Sequence, residues 1–79
     1  MSERPLDFEI VGPIHSVEII AVGRSVRLRR WLSEKYGGRR WRKMKGRALI
    51  HERNGIIHEA ELHWFEAHGV GKVQWKVKP

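Results

Sequence analysis

Glu61 and His63 are the two residues whose types and spacing best suit acid–base chemistry. Two positions apart on a β-strand, their side chains leave the same face of a sheet roughly 6.5–7 Å apart. RNA cleavage without a metal ion needs a base for the 2′-hydroxyl proton, an acid for the leaving oxygen and cations near the phosphate. Glu61 and His63 can supply the base and the acid, and Arg47, Lys45 and Lys76 can stabilise the transition state.

The same side chains also allow a purely structural interpretation without catalysis. Glu61 could bridge Arg47 and Lys76 on the two neighbouring strands, where exposed ion pairs contribute only a fraction of a kcal/mol each. The sequence leaves catalysis and a cross-strand ion network open as alternatives.

These side chains share a face only if residues 43–78 fold as a three-stranded antiparallel meander. A hairpin loop at residues 53–55, with Gly55 in the left-handed conformation, separates apolar from charged side chains better than the alternative two-residue turn at Asn54-Gly55. A second turn is expected at His68-Gly69. The first hairpin pairs Ile50 with His58, Ala48 with Ala60 and Met44 with Trp64. The second sets Trp64 opposite Val73, Leu62 opposite Trp75 and Ala60 opposite Val77.

This register predicts one apolar and one charged face, because successive side chains of a strand alternate. Carboxylate, imidazole and cations should meet on the charged face. There Arg47 and Lys76 flank Glu61, Lys45 and Gln74 flank His63, and Lys72 lies across from Phe65.

The N-terminal third predicts short strands. Met1 to Asp7 should be frayed, and Phe8 to Val11 should form a strand that the Gly-Pro pair at 12–13 ends. Ile14 to Val22 is a second β-rich segment, although Val17 to Val22 could instead form a helical turn.

A basic amphipathic helix is predicted from Val26 to about Tyr36, with Ser25 as its N-cap and Gly37 as its stop. The helix is expected to cover the apolar face of the meander. Its buried stripe comprises Leu28, Trp31, Leu32 and Tyr36, and its solvent side comprises Arg24, Arg27, Arg30 and Lys35. The predicted fold class is therefore α+β, a single domain over residues 1–79. One basic amphipathic helix packs on a mostly antiparallel β-sheet, made of the C-terminal three-stranded meander and one or more N-terminal strands.

Composition and charge narrow the class of protein. The 79 residues suffice for one small domain, and the absence of cysteine excludes disulfides and thiolate metal sites. No apolar run approaches the roughly 20 residues that cross a bilayer, so a cytoplasmic protein without a membrane partner is expected. Residues 21–47 hold eleven Lys or Arg and one Glu, a net charge of +10 within a chain of net charge +7. Such a block indicates RNA or another polyanion as the partner.

The segment from residue 37 to 47 has the features of a nucleic-acid contact. Gly37-Gly38 lets the backbone approach a ligand, the cations can pair with phosphate, and Trp41 offers a ring to an unstacked base. The alternative is a solvated loop whose Trp41 folds back into the core. The predicted nucleic-acid-binding residues are Arg24, Arg27, Arg30, Arg39, Arg40, Trp41, Arg42, Lys43, Lys45 and Lys76.

The histidines do not form a metal-binding pattern. His58, His63 and His68 are five residues apart, so they alternate faces on a strand, and neither they nor His51 fit a compact zinc motif. Gly37-Gly38 follows a helix rather than a strand, which argues against a nucleotide-binding glycine loop. No metal and no cofactor is predicted.

A basic helix followed by an antiparallel meander, over roughly residues 25–78, resembles the small ribonuclease toxins of bacteria of the RelE and barnase types. The resemblance implies a metal-independent endoribonuclease whose sheet face carries the catalytic Glu61, His63 and Arg47, with Lys45 and Lys76 beside them. The string from Ala60 to Gly69 also looks like segments of small uncharacterised bacterial proteins, which implies no function.

Three functions remain open. The first is RNA binding through the basic helix, the following loop and the charged face. The second is RNA cleavage at the same face, and the third is a non-catalytic interaction module for an acidic protein such as an antitoxin. A free N-terminal strand also permits homodimerisation by edge pairing.

Overall fold

A computed structural model of the protein describes residues 8–78. The predicted frayed segment, Met1 to Asp7, lies outside the described residues. The elements are β1 (Phe8–Ile10), β2 (His15–Val22), a 3₁₀ turn (Gly23–Ser25), α1 (Arg29–Tyr36), β3 (Arg42–Glu52), β4 (Ile57–Ala67) and β5 (Gly71–Lys78). None of the helices in this part of the chain has the length and apolar character needed to span a bilayer.

The predicted α+β class is wrong, because the protein is nearer to all-β. Strands make up 58% of the described residues and helices 15%, in one curled antiparallel sheet with a single short helix. Two elements account for the difference. Residues 15–22 form a full strand, and the helix is three residues shorter at its start than predicted.

The sheet has the strand order β1-β3-β4-β5, and β2 also pairs with β3. β1 lies against residues 50–52 of β3, and β2 lies against residues 42–47, so the two short strands share one edge of β3. The segment Val17 to Val22, which the sequence left open, is therefore strand. Its partner decides this, since six residues carry too little periodicity to distinguish helix from strand.

The first hairpin has the predicted register. Ile50 pairs with His58, Ala48 with Ala60 and Met44 with Trp64. Gly55 has φ 91°, the left-handed conformation that a glycine adopts without a Cβ clash. Local turn chemistry therefore determined this pairing, and with it which side chains share a face.

The second hairpin does not have the predicted register. Its loop is one residue longer than expected, because Ala67 pairs with Gly71, and an irregularity follows at Gln74, which has φ 58°. As a result Leu62 pairs with Val77 rather than Trp75, His63 with Lys76 rather than Gln74, and Phe65 with Val73 rather than Lys72. Glu61 pairs with Lys78, so the predicted position of Lys76 beside Glu61 is wrong.

The larger hydrophobic core lies on the apolar face of β3 and β4. Its buried members are Met44, Ala48, Ile50, Ala60, Leu62 and Trp64. The curled sheet covers this core with its own outer strands, because Phe8, Ile10, Ile14, Trp75 and Val77 pack against it. The rings of Trp64 and Trp75 stack with centroids 4.8 Å apart.

The helix packs on the opposite face, so the expectation that it covers the apolar face is wrong. Its core consists of Val26, Leu32, Trp41 and Ala67, with Tyr36, Phe65, Val70 and Val73 beside them. Phe65 and Ala67 of β4 have the parity of the charged face, which thus becomes apolar at the end near the second hairpin. α1 covers that end and leaves the rest of the charged face open.

Only part of the predicted helical stripe is buried. Leu32 is fully buried and Tyr36 half-buried, but Leu28 and Trp31 are exposed. Leu28 is the N-cap residue and Ser25 lies in the preceding 3₁₀ turn, so the predicted Ser25 cap is wrong. Gly37 ends the helix as predicted, with φ 81°.

Candidate nucleic-acid interface

Glu61 and His63 lie together on the charged face, but they are hydrogen-bonded to each other. His63 Nε2 lies 2.7 Å from Glu61 Oε2, and the His63 side chain is only 14% exposed. This hydrogen bond, assisted by the charges of Lys45 and Arg47, holds the pKa of Glu61 below its ordinary value. Lys76 lies across from His63.

Two cations of this face, Arg47 and Lys45, are already paired with carboxylates. Arg47 Nε donates to Glu59 Oε1 at 2.7 Å, and Lys45 Nζ lies 3.5 Å from Glu18. The hydrogen bond from Arg47, together with the charges of Arg47 and His15, lowers the pKa of Glu59. The described contacts thus give Arg47 a carboxylate partner on its own sheet.

This geometry differs from that expected of a catalytic base and acid. A phosphate attacked between Glu61 and His63 needs a gap between the two groups, and their 2.7 Å hydrogen bond leaves none. The cross-strand network of the alternative interpretation is also different in detail, because Arg47 bonds to Glu59 and Glu61 bonds to His63. Catalysis by Glu61, His63 and Arg47 stays a prediction.

A second basic site lies where α1 meets the start of β3. Four arginines, Arg27, Arg29, Arg30 and Arg40, line an open cleft of about 550 Å³, which is called here the arginine cleft. Gly23, Ser33 and Trp41 complete its lining. Among the described residues that line the cleft, none is acidic.

Local structure explains why these arginines meet. Buried Val26 fixes the chain just before Arg27, and the first turn of α1 carries Arg29 and Arg30. Arg40 has φ 54°, a left-handed conformation that is uncommon for a residue with a Cβ. This conformation follows the glycines at 37–38 and turns the chain so that Arg40 reaches the cleft beside the helix.

Trp41 connects α1 with the loop that follows it through hydrogen bonds at the cleft. Its Nε1 donates to Ser33 Oγ at 3.1 Å and to the Gly38 carbonyl at 3.2 Å, while Ser33 Oγ donates to the same carbonyl at 2.9 Å. Trp41 is only 2% exposed. The expectation that its ring stacks on a base is therefore wrong, since no face of it is accessible, and the alternative of a core tryptophan is correct.

The remaining predicted binding residues are spread over other environments. Arg24 and Arg39 are exposed near the cleft without lining it. Arg42 is bound to Glu66 at 2.7 Å, and the Lys43 ammonium lies 5.9 Å from the centre of the Phe65 ring. The predicted binding residues therefore do not form one surface. Successive side chains of β3 point to opposite faces, and Arg42 and Lys43 contact other side chains of the sheet.

One residue of the cleft and one exposed aromatic residue were missed by the sequence reasoning. Arg29 lines the cleft, and the dense arginine run of residues 27–30 was the signal for it. Trp31 is 43% exposed, with the Lys35 ammonium 5.2 Å from its ring centre. No local signal marks Trp31, because its spacing from Leu32 and Tyr36 is that of a buried stripe.

Within residues 8–78, no group of three or more histidine or acidic side chains is close enough together to hold a metal ion. His58, for example, lies 3.0 Å from the carboxylate of Glu52. No family model, curated protein or solved structure matches the chain. The resemblance to ribonuclease toxins therefore stays a prediction.

Proposed function

We propose that the protein binds RNA through its phosphates, with the arginine cleft as the principal contact. The observation that supports this is the convergence of four arginines on one open cleft whose described lining has no carboxylate. The guanidinium group is suited to this role, because it stays charged and offers paired donors that match phosphate oxygens. Lys45 and Arg47 of the charged face are poorer candidates, since both already have carboxylate partners.

A polyanion suits the cleft better than a single phosphate does. Its volume of about 550 Å³ exceeds one phosphate group, and Arg24 and Arg39 lie exposed nearby. With the ring of Trp41 buried, the cleft itself offers little for reading a base. Affinity should therefore come mainly from displaced counterions and depend weakly on RNA sequence. A cytoplasmic location, where RNA is abundant, belongs to the same proposal.

The test is fluorescence anisotropy of a labelled single-stranded RNA, measured in chelator at several salt concentrations. Four phosphate contacts predict a slope of log K against log salt near −2.8, since each contact contributes about −0.7 for a single strand. Arg30→Gln and Arg40→Gln should each reduce the steepness by about 0.7. The matched control is Lys78→Gln, which removes the same charge from an exposed site at the end of β5.

The outcomes separate the candidate functions. A slope near zero, or equal losses in Lys78→Gln and the two cleft variants, would refute RNA binding at the cleft. A gel of the same samples reports cleavage. RNA that is degraded by the parent protein but intact with Glu61→Gln and His63→Ala would favour the endoribonuclease over the binding protein. Binding to an acidic protein in place of RNA would favour the interaction module.

A further inference from the structure

Trp31 is an exposed aromatic side chain on the helix that carries two of the cleft arginines. The residue is 43% exposed, whereas Trp41 and Trp64 are almost fully buried. Tryptophan is highly buried on average in folded proteins, because its ring is large and mostly apolar. The fold therefore leaves a large part of the Trp31 ring accessible to a ligand.

The ring of Trp31 is supported by a chain of contacts that leads into the core. Its centroid lies 6.5 Å from that of Tyr36, and the two ring planes are nearly perpendicular. The Tyr36 ring in turn lies 6.1 Å from that of buried Trp41, and its hydroxyl accepts a 2.7 Å hydrogen bond from Gln74. These contacts restrict the rotation of the indole, so a ligand that stacks on it costs less conformational entropy.

Cations lie beside the ring. The ammonium of Lys35 lies 5.2 Å from the centre of the Trp31 ring, and Arg30, which precedes Trp31 in the chain, lines the arginine cleft. Within α1, Glu34 is the one acidic residue against three basic ones. Proteins bind single-stranded nucleic acid with this combination, because an aromatic ring stacks a base while cations contact the phosphates on either side of it.

The ring and the arginine cleft lie on different sides of the same helix. With 3.6 residues per turn, Trp31 points about 100° around the axis from Arg30. The helix is about 10–12 Å across with its side chains, so a strand whose phosphates occupy the cleft has only this width to pass before a base reaches the ring. Trp31 can thus supply the stacking surface that the buried Trp41 does not offer.

We propose that Trp31 stacks one unpaired base of the RNA whose phosphates occupy the arginine cleft, so that the protein prefers single-stranded to double-stranded RNA. This inference rests on the proposed binding of RNA at the cleft. The bases of a duplex are paired and stacked on one another, whereas a single strand can turn a base outward onto a ring. Every base has a π face, so the preference is for single strands rather than for a sequence.

Anisotropy measurements with three ligands of equal length separate stacking from phosphate contacts. The ligands are a single-stranded RNA, its duplex, and a strand of stable abasic spacers that has the same phosphates and no bases. The parent protein should bind the RNA single strand about 5- to 150-fold more tightly than the abasic strand, the range that one stacked base supplies. Trp31→Leu should bind these two strands equally, and its affinity for the duplex should equal that of the parent protein.

Trp31→Phe is the matched variant, because it keeps an aromatic ring at the same position. It should retain part of the preference for the RNA single strand over the abasic strand. Since Trp31 is exposed, both variants should fold, and their thermal unfolding curves check this. An equal loss of preference in Trp31→Phe and Trp31→Leu would show that the aromatic face does not bind the base, and would refute the proposal.

Two other results would overturn the stacking site and leave the proposed function standing. One is equal affinity of the parent protein for the RNA and abasic single strands, and the other is a full preference retained by Trp31→Leu. In both cases the abasic strand still reports the cleft, because Arg30→Gln should weaken its binding and lessen the salt dependence. Binding of both strands without any salt dependence would instead refute phosphate binding at the cleft, and the stacking site with it.

Discussion

Replacing Gly46 with alanine tests how the N-terminal segment covers the apolar face. A methyl group at Gly46 would lie 3.0 Å from Ile14 Cγ2, 3.0 Å from Trp64 Cη2 and 3.2 Å from the His15 carbonyl oxygen. Ordinary contacts of a Cβ begin near 3.4 Å. The methyl group can fit only if Ile14, Trp64 or the backbone at His15 gives way by a few tenths of an ångström.

The expected cost follows from two opposing effects. Overpacking a core costs about 1–3 kcal/mol. Loss of glycine's freedom in the unfolded chain stabilises the protein by about 0.4–1 kcal/mol. The net destabilisation of Gly46→Ala should be about 1–2 kcal/mol, which lowers the melting temperature of a domain of this size by about 5–15 °C.

Gly12→Ala is the matched control. A methyl group at Gly12 meets Leu49 at 3.5 Å, an ordinary contact, and neither glycine has a left-handed φ. Thermal unfolding followed by circular dichroism should place the control at or slightly above the parent protein. If Gly46→Ala is as stable as Gly12→Ala, Ile14 does not lie over β3, and the account of how the larger core is covered is incorrect.

Two further predictions concern the charged face and the cleft. The pKa of Glu61 is lowered in the folded protein, so its stabilising contribution is complete above its ordinary value of 4.5 and disappears as the pH falls through the lowered value. Glu61→Gln should therefore melt below the parent at pH 7, and the difference should shrink towards pH 3; a constant difference would contradict this. Trp41→Phe removes the donor to Ser33 and Gly38 and should cost about 1–3 kcal/mol in urea unfolding, while Trp31→Phe, at an exposed ring, should change stability by less than about 0.5 kcal/mol. Equal effects of the two substitutions would show that the buried indole does not hold the cleft.

The sequence by itself determined the first hairpin and the sorting of its side chains. Gly55 fixed the turn, and period-two alternation then placed Glu61 and His63 on one face and Met44 and Trp64 on the other. Gly37 likewise fixed the end of the helix. These features depend on residues that are close in the chain, so local chemistry was sufficient.

The tertiary structure decided which side of the sheet the helix covers. The strands offer apolar side chains on both faces near the second hairpin, and the alternation pattern does not say which group the helix will bury. Phe65 was expected on the charged face, yet it packs against the second core of Val26, Leu32, Trp41 and Ala67. The longer loop of the second hairpin places Val73 in that core, and the irregularity at Gln74 returns Trp75 to the other core, neither of which a turn signal indicated.

The composition of the candidate site was also a tertiary outcome. The sequence located the basic block, but not which of its cations would face one another. Arg42, Lys45 and Arg47 meet carboxylates that are distant in sequence, whereas Arg27, Arg29, Arg30 and Arg40 meet in the cleft. For the same reason Trp31, which was expected in the core, is exposed, and Trp41, which was expected at the ligand, is buried. Burial depends on what packs above a residue, and that is set by contacts between segments far apart in the chain.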